Sequence, residues 1–195
     1  WQWETDQYGT FWFEAELDDD KDEIPENNLV SVLMRSVDIE FSDDMEDGTN
    51  GWTNYKSLSN PWHIINTDED GNREASSPTH AMWVGDESKG DGEYDNNWDF
   101  SLYTANEHAL GTSPTLVVDI WYHTENSWDG GNVQISTDEG ANWEVITPDG
   151  GYPDDAVVGL DNEPGYTAIS GDGETSSWET ANFNLGNYSG EDAKF

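Results

Sequence analysis

The sequence predicts an all-β protein built as an antiparallel β-sandwich, and three observations carry that prediction. First, apolar and polar residues alternate at period two in several short runs. Leu116, Val118, Ile120 and Tyr122 are set against Val117, Asp119, Trp121 and His123, and Val133 and Ile135 against Asn132, Gln134 and Ser136. Second, Gly, Asn, Asp and Pro clusters punctuate those runs, as turns between strands require. Third, nothing recurs at a fixed period, which leaves solenoids and propellers unsupported. The runs at 116–122 and 133–135 are expected to be neighbouring strands of one sheet, with the reversal at Asp129-Gly130-Gly131, where glycine tolerates positive φ.

The N-terminal part reads as a hairpin. Tyr8 to Leu17 places Phe11, Phe13, Ala15 and Leu17 on one face and Trp12, Glu14 and Glu16 on the other. Asp18 to Asn28 is an acidic turn containing Pro25, and Leu29 to Met34 resumes a strand. An isolated two-stranded hairpin is marginal in water, so this one is expected to pack on the following module, on a further domain or on a second copy of the chain. Val37, Ile39 and Phe41 alternate with Asp38, Glu40 and Ser42 as the first strand of the larger domain, followed by the acidic loop Asp43 to Gly51.

Short strands are expected at Trp62 to Ile65 and Thr79 to Val84, around a loop from Asn66 to Pro78. In that loop Asp68, Asp70 and Asn72 have the opening spacing of a calcium loop, but Arg73 stands where an EF-hand needs glycine and Thr79 where it needs glutamate. Gly85 to Asp99 is a long acidic loop of the kind that carries function. Phe100 to Leu110 leads to the Ser113-Pro114 turn. After Trp143, Val145 and Thr147 continue a strand, and Pro148 to Gly165 reads as a second long loop. Trp178 opens a strand with Ala181, Phe183 and Leu185 facing inward, and Asp192 to Phe195 begins another.

Composition bounds the function. The 195 residues carry 43 acidic and 6 basic side chains, a net charge of −37, which excludes nucleic acid as a partner because phosphate binding needs a basic footprint. Eleven Trp, eight Tyr and six Phe argue for a packed core, since disordered acidic chains are poor in aromatics. Self-repulsion on this scale is offset by salt screening or by bound divalent cations, which points to a marine or halophilic source or a calcium-rich extracellular setting. The plainer use of most of these acids is a solvated surface. There is no cysteine, hence no disulfide or thiolate chemistry, and no apolar run long enough to cross a membrane. Beginning at Trp1, the chain reads as a mature or excised piece.

Catalytic motifs are sparse. His63, His80, His108 and His123 are scattered singly, with no His-Glu-x-x-His pair, no nucleophile elbow and no phosphate loop. With so many acids, some carboxylate pair suited to glycoside hydrolysis is always available, so that signal carries no information. Ser136, Asp138, Gly140 and Trp143 have the Asp-box spacing Ser-x-Asp-x-Gly-x-x-Trp, in which the carboxylate bonds amides inside the turn, glycine takes the left-handed position and the indole folds over the hairpin. Sialidases carry such boxes, but they need an arginine cluster and this chain has only Arg35 and Arg73. The box is therefore a structural turn. Trp52, Trp62, Trp128 and Tyr152 lie in or near loops, where a flat ring can stack on a sugar; their alternative use is packing.

Residues 37–195 resemble the jelly-roll module, related to the MAM domain, that accompanies secreted metallopeptidases of the immune inhibitor A type. The matching pieces, in the family's order, are Asp44-Met45-Glu46-Asp47-Gly48 with Gly51-Trp52, Ala81-Met82-Trp83-Val84-Gly85, Leu110 with Ser113-Pro114, Trp128-Asp129-Gly130-Gly131, and Trp178 before Asn184 to Gly190. Residues 1–36 resemble the C-terminal hairpin of a cell-adhesion-related Ig-like domain of bacteria and archaea, by the acidic loop, the Glu26-Asn27-Asn28 run and the last strand. The resemblance implies an all-β, antiparallel jelly-roll β-sandwich preceded by an Ig-like hairpin, cut short within its last strands at the C-terminus. It also implies Ca²⁺ as the bound ion, with Asp44, Glu46, Asp47 and Asp129 as candidate ligands through oxygen donors suited to a hard cation.

Three functions follow as expectations. The first is a non-catalytic, extracellular or cell-surface recognition module that binds a glycan or a surface protein, with other domains of the same polypeptide beside it. The second is a structural subunit of a surface layer or filament, in which copies exchange strands and share calcium. The third is the accessory domain of a secreted metallopeptidase.

Overall fold

A computed structural model describes residues 9–16, 29–36, 39–55, 62–66, 76, 79–85, 94, 97–171 and 177–195. The chain forms two compact units, Trp1–Phe41 and Ser42–Phe195. Every regular element among the described residues is a strand or a single 3-10 turn, so the protein is all-β.

In the first unit, β1 (Gly9–Glu16) and β2 (Leu29–Ser36) pair antiparallel without a break, from Gly9 opposite Ser36 to Glu16 opposite Leu29. The strand expected at 37–41 does not form over its described part. Residues 39–41 join no β-ladder and bend at Glu40, and Ile39 is 68% exposed. Alternation supplies a face for burial, but a strand also needs a ladder partner, and Ile39 has none of either.

The second unit opens with β3 (Trp52–Tyr55), which pairs antiparallel with β6 (Ser101–Thr104), and β4 (His63–Asn66), which pairs with β5 (His80–Trp83). The calcium-like run Asp68, Asp70 and Asn72 lies outside the described residues. β7 (His108–Ala109) pairs with β14 (Asp192–Ala193) at the far end of the chain. The last residues join two further segments. Thr104 N–H donates to Phe195 O at 2.8 Å, and Ser136 and Lys194 exchange backbone bonds at 3.0 and 2.9 Å. Ala193 is fully buried there.

β8 (Thr115–Ile120) pairs with β13 (Glu179–Asn184) over six residues, while β9 (Gln134–Ile135) pairs with β10 (Glu144–Val145). The expectation that the 116–122 and 133–135 runs are adjacent strands is therefore wrong. Both were correctly oriented, since Leu116, Val118 and Ile120 turn toward the core and Val117 stays 57% exposed, but the period of a strand says nothing about which strand lies beside it. The stretch from Pro148 to Gly165 is also more ordered than a loop. It contains β11 (Asp154–Val157), a 3-10 turn at Val158–Leu160 and β12 (Glu163–Gly165), a bulged hairpin whose left-handed Asp161 and Asn162 make the reversal.

The core gathers Ile135, Ile146, Tyr152, Ala181, Phe183, Leu185 and Ala193, with Leu116, Val118 and Ile120 packed against them from β8. Thus the inward residues of β8 and β13 meet those of β9, β10 and β14 in one apolar cluster, consistent with a β-sandwich. Phe183 is fully buried and Leu185 is 1% exposed, as the alternation Ala181, Phe183, Leu185 requires.

Candidate functional site

The segment that leaves β8 returns toward β9 through residues 121–131, and it is built almost entirely from hydrogen bonds to distant parts of the chain. Thr124 N–H donates to Ala168 O at 2.7 Å, and Ser170 N–H to Tyr122 O at 3.0 Å, so 122–124 runs antiparallel to 168–170. The turn itself closes where Trp128 and Asp129 N–H both donate to Glu125 O, at 3.1 and 2.9 Å. Thr167, 4% exposed, accepts from Ser127 N–H at 2.9 Å and donates to Asp129 O at 2.7 Å, while the Thr124 hydroxyl donates to the same carbonyl at 2.9 Å. On the opposite side, Tyr94 accepts from Glu125 N–H at 3.0 Å and donates to Asp129 Oδ2 at 2.9 Å. Burial first, and then the Asp129 carboxylate, holds the Tyr94 phenol above its ordinary range, so it stays a donor.

The 3-10 turn after β11 locks the outer rim. Val158 N–H donates to Ser127 O at 3.1 Å and Gly159 N–H to Trp128 O at 2.7 Å. A Cβ on Gly159 would stand 2.8 Å from that Trp128 oxygen, so only glycine permits the approach. Gly130 serves the same end. Neither Gly130 nor Gly131 uses a positive φ; the left-handed residue of this loop is Ser127, at φ 60°. A Cβ on Gly130 would lie 2.3 Å from Tyr166 O, so the glycine that the sequence assigned to a sharp turn is needed for close approach of two backbones.

What this scaffold presents is Trp128. Its side chain is 59% exposed, and Val158 beside it is 47% exposed. The surrounding groups are acidic. Glu125 begins the turn, Asp129 follows the indole, and the Asp154 carboxyl is held below its ordinary range by a hydrogen bond from the Ser127 side chain, then by the Ala156 amide.

The other expected ligand aromatics are used differently. Tyr152 is a core residue. Its ring is only 9% exposed, sits edge-on to Tyr166 at 4.8 Å, and its hydroxyl accepts from Val133 N–H at 3.0 Å and donates to Ile146 O at 2.8 Å. It lies on the second long segment, but that segment folds inward there, and a ring with both hydroxyl functions satisfied internally cannot stack on a ligand. Trp52 and Trp62 are half-buried, with indole N–H groups donating to Asp43 Oδ2 at 2.8 Å and Phe100 O at 3.4 Å. Trp128 alone of the four stands well out of the surface.

The candidate calcium ligands do not converge. Both oxygens of Glu46 are engaged by Thr79 and His80. Oε1 accepts from the two backbone amides at 2.8 Å each, and Oε2 lies 2.7 Å from the Thr79 hydroxyl and 2.7 Å from His80 Nδ1. The Thr79 hydroxyl, then the His80 side chain, lower the Glu46 carboxyl to about 2. Asp44 Oδ1 caps the Glu46 amide at 3.2 Å, and Asp129 belongs to the Trp128 loop. Among the described residues no three His, Asp or Glu side chains come together as a cation site. Glu46 instead fastens its loop to the start of β5.

The Asp-box residues form a closed local unit. The buried Ser136 hydroxyl donates to Asp138 Oδ1 at 2.9 Å and accepts from Gly140 N–H at 2.9 Å. Asp138 takes the Asn142 amide at 2.8 Å and its side chain at 2.6 Å, and the Asn142 bonds keep its carboxyl below the ordinary range. Gly140 has φ 91°, and Trp143 Nε1 donates to Gly140 O at 3.1 Å. The Ser136 hydroxyl, the Asp138 carboxylate and the Trp143 indole N–H are thus bonded to one another's neighbours within the turn.

Sequence reasoning identified Trp128 and Asp129 but missed Tyr94, Ser127, Thr167 and Gly159. Tyr94 acts on Glu125 31 positions away, Thr167 on Ser127 and Asp129 40 and 38 away, and Gly159 by backbone proximity, and no local signal marks them.

The fold and the site together define an all-β protein with a rigidly supported exposed tryptophan. A scan against family models, a search of curated proteins and a search of solved structures each return no match for the chain.

Proposed function

We propose that the chain is a non-catalytic recognition module of a secreted or surface-borne protein, with residues 37–195 as a jelly-roll sandwich that contacts its ligand through the Trp128 loop. One observation carries this reading: a large apolar ring is held 59% exposed on a loop whose backbone is bonded on both sides. An exposed indole on a mobile loop loses conformational freedom when it binds. Here that cost falls on folding, which is the meaning of a preorganised contact. Ser127 in the left-handed region adds local strain, of the kind tolerated where surrounding structure over-determines a functional conformation. The loop sets carboxylates and carbonyls around an exposed ring, groups suited to contacting a ligand.

The test is Trp128→Ala, screened beside the parent protein against immobilised glycans and immobilised peptides. Removing an exposed ring should leave the melting temperature within about 2 °C, since surface changes of this kind stay within roughly 0.5 kcal/mol. At least one ligand class should bind the parent and lose the variant. Identical profiles for the two proteins would remove the basis for this reading.

A further inference from the structure

We propose that the ligand of the Trp128 face is a cationic segment, a lysine- or arginine-bearing peptide whose charged head sits over the indole among the carboxylates of Glu125, Asp129 and Asp154. The inference rests on the recognition reading above and adds the chemistry of the partner.

Three features of the molecule select that chemistry. The first is the ring: a guanidinium or ammonium over an exposed indole face gains from the ring quadrupole, and tryptophan is the strongest such platform. The second is the placement of carboxylates on the loop itself. Glu125 and Asp129 bracket the indole in sequence, and Asp154 is tied to Ser127, one residue before it. The third is that the loop and the hairpin against it contain no lysine or arginine. No lysine or arginine occurs between Lys89 and Lys194, a span that supplies the whole Trp128 loop and the β11–β12 hairpin against it. A cation arriving there meets a loop and hairpin that carry carboxylates and no lysine or arginine of their own, which favours its association.

The same charge argues against other occupants. A polyanion is repelled. A second copy of the chain brings another net charge of −37 to the contact. A neutral glycan can stack on the indole but gains nothing from the charge.

The experiment uses the full chain and a short glycine-serine peptide carrying two arginines and two lysines, against the same peptide with citrulline and acetyl-lysine in their place. Binding is followed by anisotropy of a neutral dye on the peptide. The charged peptide should bind and the neutralised one should not. Trp128→Ala should weaken binding about fivefold, the size expected for an exposed cation–π contact, with Trp128→Phe in between. Glu191→Gln with Asp192→Asn, in an acidic cleft lined by none of the Trp128 loop, should change it less than twofold. Affinity should fall as salt rises through 0.1 M, where the screening length is about 10 Å.

Equal binding by Trp128→Ala and the parent would overturn the inference, because the peptide would then be held by diffuse charge. A glycan captured through Trp128 with no response to the cationic peptide would overturn it too, while leaving the recognition module standing. Loss of neither ligand class in the variant would overturn both.

Discussion

Gly130 and Gly131 are neighbours in sequence and identical in kind, yet the structure assigns them opposite tolerances. A methyl group on Gly130 would lie 2.3 Å from Tyr166 O, a backbone oxygen that cannot swing aside, and 3.4 Å from Val157 Cγ1. Relief requires separating segment 130–131 from Tyr166, which carry two backbone bonds, Gly131 N–H to Tyr166 O at 3.0 Å and Tyr166 N–H to Gly131 O at 2.8 Å. Weakening both costs about 0.5 to 1 kcal/mol each, and the overpacking adds roughly 1 to 3 kcal/mol. Gly130→Ala should therefore destabilise the protein by about 2 to 5 kcal/mol. At Gly131 a Cβ meets nothing within 4 Å, and its φ is not positive. Gly131→Ala should be neutral or stabilise by up to about 1 kcal/mol, through the reduced freedom of the unfolded chain. At roughly 2 to 4 °C per kcal/mol for a domain of this size, calorimetry should place the two midpoints at least about 4 °C apart. A Gly130→Ala protein that melts with the parent, or a Gly131→Ala protein that falls with Gly130→Ala, would show that the close approach of 130 to 166 is not what the glycine provides.

Two further outcomes follow from the core and the first acidic loop. Tyr152→Phe keeps the ring but removes the hydroxyl shared by Val133 N–H and Ile146 O, and should cost about 1 to 3 kcal/mol in urea denaturation without altering ligand binding; an unchanged midpoint, or lost binding, would contradict its core role. Glu46 has a folded-state carboxyl lowered from 4.5 to about 2, so the stability it confers is present above pH 4.5 and is lost as pH falls through 2. Glu46→Gln should flatten the parent's loss of stability between those limits, measured by thermal melts across pH, and an identical acid limb would mean the Thr79 and His80 bonds contribute nothing.

Much of the strand content was readable because period two is a local property. The inward set Ala181, Phe183 and Leu185, the outward Val117 and the hairpin of β1 with β2 all follow from alternation and turn chemistry within a dozen or so residues of one another. The Asp-box turn was equally legible, since Ser136, Asp138, Gly140, Asn142 and Trp143 satisfy one another inside eight positions. Residues 39–41 show the limit of the same signal, as alternation without a ladder left Ile39 in solvent.

What the sequence by itself determined is the extended character and inward face of strands such as β8 and β13, and that a strongly acidic chain rich in tryptophan is all-β. Only the tertiary structure decided that β8 lies beside β13 and not β9, that Glu46 is used by Thr79 and His80, that Tyr152 is inside, and that Trp128 remains outside. The reason is that strand pairing and side-chain capture across 33 to 69 positions are selected by shared burial and by hydrogen bonds between segments, whereas residue order within one segment fixes only its own geometry.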